Sequence, residues 1–365
     1  MKTYNPMNRR DFIKLAAVGA GAMALRPFKI NPGQILDFTP DQKLVRVCAG
    51  GEGAWFDLKA KPYWDAQNVG TVYRDDVVEW IREVVTSHTD YNRINQRWVE
   101  TPKGYIYSPY AQPVYNRSNQ PLLEFPSETK EQGMWIETTV PVVDIKLEQA
   151  PNSPWLKELL KPRIYYSQVF WVDQIKKDEQ GQVWYRLREK YWDPAGNYVI
   201  YGDILWGMAE AFRPILPDQL TPIHPEASDK KIVVSLLYQT MSCMEGNEEV
   251  YFCRVSTGYK DATPVGEFPT WQKNISTHMS GGVTGAGFDT AGIGWTVLFS
   301  SDGAAVHSTF WHNDFGLART HGCVNCRPED AKWVFRWTIP SVDYSPGGLI
   351  TQGMNSSTHV IIMGA

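Results

Sequence analysis

A short segment near the C-terminus concentrates the residue types that carry out nucleophilic chemistry. The sequence ARTHGCVNC, residues 318–326, places His321 and Gly322 beside two thiols, Cys323 and Cys326. Two kinds of chemistry are consistent with this pattern. Paired thiols with nearby histidines are typical of a tetrahedral zinc site. One thiol beside a histidine is typical of a cysteine nucleophile that a base activates.

Further histidines precede this segment and fit either chemistry. A zinc ion would bind Cys323 and Cys326 together with two of His307, His312 and His321. In a nucleophilic site, one histidine would instead accept the proton of one thiol. A free thiol has a pKa near 8.5, so only a few per cent is thiolate at neutral pH. An imidazole that accepts this proton increases the reactive fraction and can return the proton to a leaving amine.

The order of these residues resembles the signature of L,D-transpeptidases of the YkuD type. That signature is a histidine, a spacer, Ser/Thr-His-Gly-Cys, an apolar residue and Asn or Arg. It matches VHS at 306–308 followed by THGCVN at 320–325. The upstream segments STG at 256–258 and TPVGEF at 263–268 are similar to a second family element that precedes the catalytic motif. The resemblance covers residues 230–365 and favours the nucleophile over the zinc site.

The resemblance implies roles for the catalytic residues. Cys323 is the expected nucleophile and His307 its base, with the Ser308 main-chain carbonyl orienting the other ring nitrogen. His321 is the alternative base. Gly322 allows a tight turn beside the thiol. The backbone N–H groups of His321, Gly322 and Cys323 are the expected donors to the oxyanion of the transition state.

Other residues are expected on the substrate side of the site, namely Thr320, Asn325, Arg327, Trp311, His312 and Met279. Asn325 is expected to tie the loop to the pocket. Arg327 is either a contact for a substrate carboxylate or a solvated charge near a helix start. His312 is expected beside Trp311, as a structural residue or a substrate contact. Met279 begins the glycine-rich residues 279–288, predicted to be a mobile flap or a plain surface loop.

The remaining cysteines are expected to be buried thiols. The family pattern has an apolar residue where this chain has Cys326, so Cys326 is either a small buried side chain or a reversible disulfide partner of Cys323. The chain has five cysteines, so at least one cannot pair within it. Cys243 and Cys253 flank a predicted hairpin turn but are out of register by about three residues, which disfavours a disulfide. With Cys48, they are expected to be structural.

The N-terminus has the features of an export signal. Arg9 and Arg10 precede Phe12, Lys14 and a weakly apolar run at residues 15–25, which resembles a twin-arginine signal. This run is too short to cross a hydrocarbon core of about 30 Å as a stable helix. Residues 1–30 are therefore expected to direct the protein to the cell envelope, with membrane contact only if the signal is not cleaved.

The rest of the chain is expected to be mainly β. A length of 365 residues suggests two or three domains. Residues 43–115 and 130–217 contain short alternating runs rich in aromatic residues and resemble two SH3-like modules, small barrels that either contact glycan or pack against the catalytic domain. Residues 230–365 are expected to form a β-rich catalytic domain with one helix beginning at Pro328.

The resemblance also implies a reaction. Cys323 would attack the peptide bond before the terminal D-alanine of a peptidoglycan tetrapeptide stem, release D-alanine, and pass the acyl group to an amine of another stem, which gives a 3→3 cross-link. Water or a protein amine as acceptor would make the enzyme an L,D-carboxypeptidase or a wall-anchoring acyltransferase. A zinc-binding protein and a non-catalytic wall-binding protein are the alternatives of other classes. No metal or organic cofactor is expected, and a net charge of −4 argues against a nucleic-acid partner.

Overall fold

A computed structural model describes residues 38–129, 133–157, 161–193, 197–281, 288–351 and 357–364. The predicted signal at residues 1–30 lies outside this part of the chain. The described residues are mainly β, which confirms the predicted fold class. No helix among them is long and apolar enough to cross a membrane.

The first β unit comprises the strands β1 (Leu44–Val47), β2 (Trp55–Lys59), β3 (Asn68–Tyr73), β4 (Val77–Glu79), β5 (Arg82–Val85), β6 (Arg97–Thr101), β7 (Gly104–Tyr107) and β8 (Ala111–Val114). They form a three-stranded sheet, β4-β1-β8, and a five-stranded sheet, β3-β2-β7-β6-β5. Strand β6 is buried on both faces. Val99 lies in the apolar core, while Trp98 packs edge-on against Trp64 at 5.2 Å between ring centroids.

The second β unit comprises β9 (Met134–Thr138), β10 (Val142–Leu147), α1 (Pro154–Lys157), β11 (Arg163–Tyr165), β12 (Val169–Lys177), β13 (Val183–Trp192), β14 (Tyr198–Met208) and β15 (Phe212–Ile215). Its strands form one seven-stranded antiparallel sheet in the order β11-β10-β14-β13-β12-β9-β15. The SH3-like character of this unit and of the first one stays a prediction.

The C-terminal domain comprises β16 (Lys230–Ser235), β17 (Thr240–Glu245), β18 (Glu248–Arg254), β19 (Gly266–Pro269), β20 (Gln272–Gly281), β21 (Phe288–Leu298), β22 (Ala305–Ser308), β23 (Val324–Cys326), α2 (Pro328–Trp337), β24 (Gly348–Ile350) and β25 (His359–Met363). Two five-stranded sheets, β18-β17-β16-β25-β19 and β23-β22-β21-β20-β24, enclose its core. Four short 3-10 helices lie elsewhere in the described chain, at Ser108–Tyr110, Ala209–Ala211, Pro217–Leu220 and Tyr259–Asp261.

Helix α2 begins where the sequence predicts it. Pro328 occupies the first turn, where its missing N–H needs no partner. The acidic residues Glu329 and Asp330 interact favourably with the positive N-terminal end of the helix dipole. Ala331 and Val334 share a face and are fully buried in the domain core. The helix thereby fixes the end of β23, which stops one residue before it.

The core of the C-terminal domain continues into the second β unit. Trp135, Val169 and Trp171 from β9 and β12 belong to the same buried cluster as Trp295 and Val306 of the C-terminal domain. The Trp135 indole N–H also donates to the Tyr344 carbonyl at 3.0 Å. The second β unit therefore packs tightly against the C-terminal domain.

The hairpin of β17 and β18 corrects the expected cysteine register. A β-bulge next to Cys243 adds one residue to β18, so Cys243 pairs with Tyr251 and Cys253 pairs with Met241. The offset between the thiols is therefore two residues, not three, and both side chains face the core. All five cysteines are free thiols, and Cys48, Cys243 and Cys253 are buried, as expected.

A buried arginine joins all three parts of the chain. The Arg46 guanidinium contacts Asp75 at 2.8 Å and donates to the Phe310 carbonyl of the C-terminal domain at 2.5 Å. Arg163 of β11 contacts the other oxygen of Asp75 at 2.8 Å. The side chains of Arg46 and Asp75 are only 1% and 7% exposed. Removing one member of such a network leaves a buried charge without its partner.

Replacing Arg46 therefore tests how firmly the first β unit is docked. We expect Arg46→Ala to destabilise the protein by about 3 kcal/mol, which lowers the melting temperature by roughly 5 to 10 °C in differential scanning calorimetry. The matched control is Arg82→Ala, which removes an exposed pair with Glu100 in the same unit. Equal melting curves for the two variants would contradict a structural role of the Arg46 network.

Candidate active site

Two short parallel strands bring the predicted catalytic residues together. Strand β22 pairs with β23 in the register Val306 to Val324 and His307 to Asn325, and Cys323 immediately precedes β23. Side chains alternate between the two faces of a sheet. His307, Cys323 and Asn325 therefore share the face that opens to solvent, while Val306 and Val324 lie in the core.

The solvent-side face forms a cavity of about 260 Å³. Its lining includes most of the predicted site, namely Met279, His307, Trp311, His312, Thr320, His321, Cys323 and Asn325. It also includes residues that the sequence reasoning did not single out, namely Phe288, Thr290, Ile293 and Arg319. Arg319 belongs to the segment 318–326 and lies two residues before His321. The others lie on the hairpin of β20 and β21, whose fold the local sequence does not reveal.

The hydrogen bonds of His307 define which ring nitrogen can accept a proton. Its Nδ1 lies 2.8 Å from the Ser308 carbonyl oxygen and donates to it. The neutral ring therefore carries its proton on Nδ1, and Nε2 keeps its lone pair. Burial lowers the pKa of His307 to about 4, and the bond to Ser308 opposes part of that shift. In the free protein at neutral pH, His307 is an uncharged base.

Cys323 is also uncharged in the free protein. Burial of the sulfur raises the pKa of its thiol to about 11, and the backbone amide of Ala305 offsets part of the rise. The residue as a whole is only partly buried, because one side of it lines the open cavity. The site therefore holds a neutral thiol and a neutral imidazole within one cavity.

The upstream family-like segment supports the loop that carries Cys323. The Gly258 N–H donates to the Thr263 hydroxyl, which donates to the Gly322 carbonyl at 2.8 Å. Gly322 has a φ of +143°, a backbone conformation that residues other than glycine rarely adopt. A Cβ at this position would lie 3.1 Å from the Ala262 carbonyl oxygen. The backbone of Ser256 exchanges hydrogen bonds with Asn325 on the other side of the loop.

One expected oxyanion donor is already engaged. The Gly322 N–H donates to the Thr320 hydroxyl oxygen at 3.1 Å, and that hydroxyl donates to the Cys323 carbonyl at 2.6 Å. This pair of bonds closes the turn before the nucleophile. In the free protein the turn itself uses the Gly322 N–H, and a role of this group as an oxyanion donor stays a prediction.

His312 and Asn325 form a buried polar pair at the base of the cavity. The Asp314 N–H donates to His312 Nδ1 at 3.1 Å, and the Asn325 side-chain amide lies 3.0 Å from Nε2. Nδ1 accepts the bond from Asp314, and the Asn325 atom that faces Nε2 is the amide nitrogen Nδ2. Burial lowers the pKa of His312 far below its usual value. His312 thus holds Asn325 in place and stays uncharged.

Arg327 and Cys326 lie apart from the cavity lining. Arg327 occupies the N-cap position of helix α2 outside the lining, and its guanidinium lies 5.5 Å from the centre of the Phe315 ring. Cys326 is fully buried in the core, on the opposite face of β23 from Cys323. A Cys-x-x-Cys clip is therefore not formed. Within the described ranges, no group of three or more His, Cys, Asp or Glu side chains is placed to hold a metal ion.

Comparison with known proteins identifies the class of the C-terminal domain. Residues 229–360 match the YkuD family, the L,D-transpeptidase catalytic domain, and residues 6–25 match the signal sequence of the twin-arginine translocation pathway. These matches confirm the predicted catalytic domain family and the predicted export route. No curated protein matched the chain.

Solved L,D-transpeptidase structures are similar to part of the chain. The enzyme from Enterococcus faecium is 20% identical, and the alignment covers 38% of this chain and 52% of that one, about half its length, with a TM-score of 0.30. An L,D-transpeptidase from Mycobacterium smegmatis is 15% identical over 52% of this chain and 98% of its own, with a TM-score of 0.31. L,D-transpeptidase 3 from Mycobacterium tuberculosis is 16% identical over 50% and 91%, with a TM-score of 0.30.

The raised pKa of Cys323 predicts how its reactivity depends on pH. Because the thiolate is the reactive form and the thiol pKa is about 11, the rate of alkylation by iodoacetamide should rise steadily between pH 7 and pH 10 without a plateau. Peptide mass spectrometry follows the label at Cys323, with Cys323→Ser as the control for reaction at other thiols. A plateau below pH 8 would show instead a thiolate already stabilised in the free protein.

The position of Cys326 predicts that it does not pair with Cys323. After treatment with hydrogen peroxide, we expect oxidation of Cys323 alone, because the Cys326 side chain faces the core. Mapping of non-reduced peptides by mass spectrometry is the measurement. A Cys323–Cys326 disulfide in the folded protein would contradict this strand arrangement.

Proposed function

We propose that this chain is an exported peptidoglycan L,D-transpeptidase in which Cys323 is the nucleophile and His307 the general base. The observation that carries the proposal is the pairing in one cavity of a thiol with a buried imidazole whose Nδ1 is committed to Ser308. Such an imidazole presents Nε2 as a proton acceptor, which is the arrangement that a cysteine nucleophile needs.

The reaction proceeds by two acyl transfers. As Cys323 attacks the carbonyl carbon before the terminal D-alanine of a tetrapeptide stem, its proton passes to His307 Nε2. The tetrahedral intermediate collapses, and the leaving D-alanine amine takes that proton, which leaves a thioester on Cys323. An amine of a second stem then attacks the thioester and gives its proton to His307. Cys323 is released as the thiol, and the new amide is the 3→3 cross-link.

The pKa values explain why the proton moves only when substrate is bound. The thiol and the imidazole are both neutral in the free protein, so an ion pair between them is a minor state. Donors that stabilise the oxyanion favour attack only as charge develops on the substrate oxygen, at about 3 kcal/mol for each donor. The backbone N–H groups of His321 and Cys323 are the proposed donors, since that of Gly322 closes the turn.

Arg319 is the proposed contact for a carboxylate of the stem. It is the charged residue among those lining the cavity, and its side chain is 40% exposed. It also contacts Asp314 at 3.4 Å, which holds the guanidinium at the cavity edge. We assign to Arg319 the carboxylate contact that the sequence suggested for Arg327, because Arg319 lines the cavity and Arg327 lies at the start of α2. Met279, Phe288 and Trp311 supply apolar walls for the stem side chains.

Product analysis tests the proposal directly. Wild-type protein incubated with disaccharide tetrapeptides should yield dimers that have lost D-alanine, detected by mass spectrometry. Cys323→Ala should abolish this product, and His307→Ala should lower the rate at least about a hundredfold because the general base is lost. Cys326→Ala is the matched control, since it removes a thiol of the same segment that faces the core.

The pattern of products separates the proposal from its rivals. Tripeptides without dimers would identify an L,D-carboxypeptidase with the same site. Dimer formation by Cys323→Ala would overturn the assignment of the nucleophile. Acylation of Cys323 by a penem-type β-lactam, seen as a mass increase that Cys323→Ala lacks, is a second readout of the same thiol.

A further inference from the structure

The hairpin of β20 and β21 forms one wall of the Cys323 cavity. Met279 on β20 pairs with Thr290 on β21, and both line the cavity, as does Phe288 at the start of β21. The Phe288 ring also stacks on His321 at 5.1 Å between ring centroids, with an interplanar angle of 28°. The placement of this hairpin therefore determines the shape of the site next to the nucleophile.

His278 lies on the face of β20 opposite Met279, so its side chain points away from the cavity. Thr277 pairs with Ile293 and Met279 with Thr290, so His278 faces two residues of β21, Ala291 and Gly292. Gly292 has a φ of +67°, which glycine adopts without strain. The added residue in β21 lets both Thr290 and Ile293 line the cavity, while alternation along β20 directs His278 to the second β unit.

His278 bridges two carboxylates from different parts of the chain. Its Nδ1 lies 2.5 Å from Glu189 of β13, and its Nε2 lies 2.6 Å from Asp289 of β21. Both ring nitrogens face acceptors, so the ring donates twice and is an imidazolium. Asp289 also accepts a hydrogen bond from the Trp155 backbone N–H at 2.8 Å. This His278 bridge thus links the hairpin to β13 and to α1.

The second β unit is shaped to hold this bridge. The side chains of His278 and Glu189 are 8% and 4% exposed, so their interaction is little screened by water. Gly202 of β14 makes room for Glu189, because a Cβ at this position would lie 2.2 Å from Glu189 Oε1. Asp203 is the other carboxylate close to Glu189, and it accepts from the backbone N–H groups of Asn152 and Ser153.

The residues of the His278 bridge are chain neighbours of the cavity wall. His278 precedes Met279, and Asp289 lies between Phe288 and Thr290. A displacement of either bridging side chain therefore moves a wall residue directly. Further along the hairpin, Gln168 of the second β unit donates to the Ala291 carbonyl at 2.8 Å, which fixes the inner part of the hairpin.

We propose that His278 is a positioning residue of the catalytic site, which as a charged bridge between Glu189 and Asp289 holds the β20–β21 hairpin in the position that binds the donor stem. The part of this inference that concerns the stem rests on the proposed function. The part that concerns the hairpin rests on the contacts alone. It assigns the second β unit a role in completing the substrate pocket.

The charge of His278 gives the bridge a defined pH range. Burial lowers the pKa of the ring, but the hydrogen bonds and charges of Glu189 and Asp289 outweigh it and raise the pKa to about 9. Burial raises the pKa of the Glu189 carboxyl, and the facing imidazolium opposes that shift. Because the pKa of His278 in the folded protein exceeds the usual 6.5, the stability that the bridge contributes is fully present below pH 6.5 and is lost as the pH rises through about 9, where the ring itself loses its charge.

Kinetics of two variants test the inference in the full-length protein. We expect His278→Asn and Glu189→Gln each to raise KM for a disaccharide tetrapeptide about tenfold, with a smaller effect on kcat. The double variant should show no further increase, because both changes break the same interaction. Alkylation of Cys323 by iodoacetamide should change less than twofold, since it does not require the stem. His224→Asn, which removes an exposed histidine pair with Glu245, is the matched control.

The pH dependence provides a readout that a merely structural role would not move. For wild type, KM should rise as the pH increases through about 9, whereas His278→Asn should lack this step. Hydrogen exchange of peptides from residues 272–281 and 288–298 should lose protection over the same range, with peptides from β16 and β17 as the internal reference. This exchange measurement needs neither turnover nor a variant.

The outcomes separate the two proposals. Absence of turnover in wild type would overturn the proposed function, while the exchange step near pH 9 would still support the bridge. Equal KM values and equal exchange for folded wild type and Glu189→Gln would overturn the positioning role and leave the function intact. If His278→Asn does not fold, the wild-type exchange profile decides: protection that is unchanged between pH 7 and pH 10 contradicts the inference.

Discussion

The parallel pairing of β22 with β23 is the constraint on which the site depends. It places His307 and Cys323 on the same face of one sheet, although the two residues are not close in the sequence. Strand β23 has only three residues, so its own ladder holds it weakly. The core packing of Val324, the start of α2 at Pro328 and the hydrogen bonds with Ser256 hold it on three sides. The upstream segment at residues 256–268 and the catalytic motif at residues 306–325 thus pack together as one structural unit.

The residues that line the cavity do little to stabilise the Cys323 thiolate before substrate binds. None of the residues that line it is acidic, and the nearby imidazoles of His307 and His312 are kept neutral by burial. Such a site does not favour a resting thiolate. It suits a reaction in which charge appears only in the transition state, where preorganised donors act most strongly. In the proposed reaction, Arg319 at the rim favours substrates that carry a carboxylate.

The sequence predicted those features that depend on neighbouring residues. The turn at Gly322, the orientation of His307 by Ser308 and the helix at Pro328 each involve contacts within a few positions, so the local pattern was sufficient. The register of the β17–β18 hairpin was missed, because one added residue in β18 changed the relation of Cys243 to Cys253. For Cys326 the sequence left two alternatives open, and the alternation along β23 places its side chain in the core.

Contacts between distant parts of the chain were beyond sequence reasoning, and they give the N-terminal half its role. His278 and Glu189 are 89 positions apart, and no local pattern marks either as a partner of the other. A buried imidazolium is stable only when carboxylates surround it, so the charge of His278 requires the second β unit to be in place. The apolar core around Trp135 and Trp171 also requires the second β unit to pack against the C-terminal domain. A cavity wall built on such contacts keeps its shape only while both units stay docked, which makes the second β unit part of the catalytic structure.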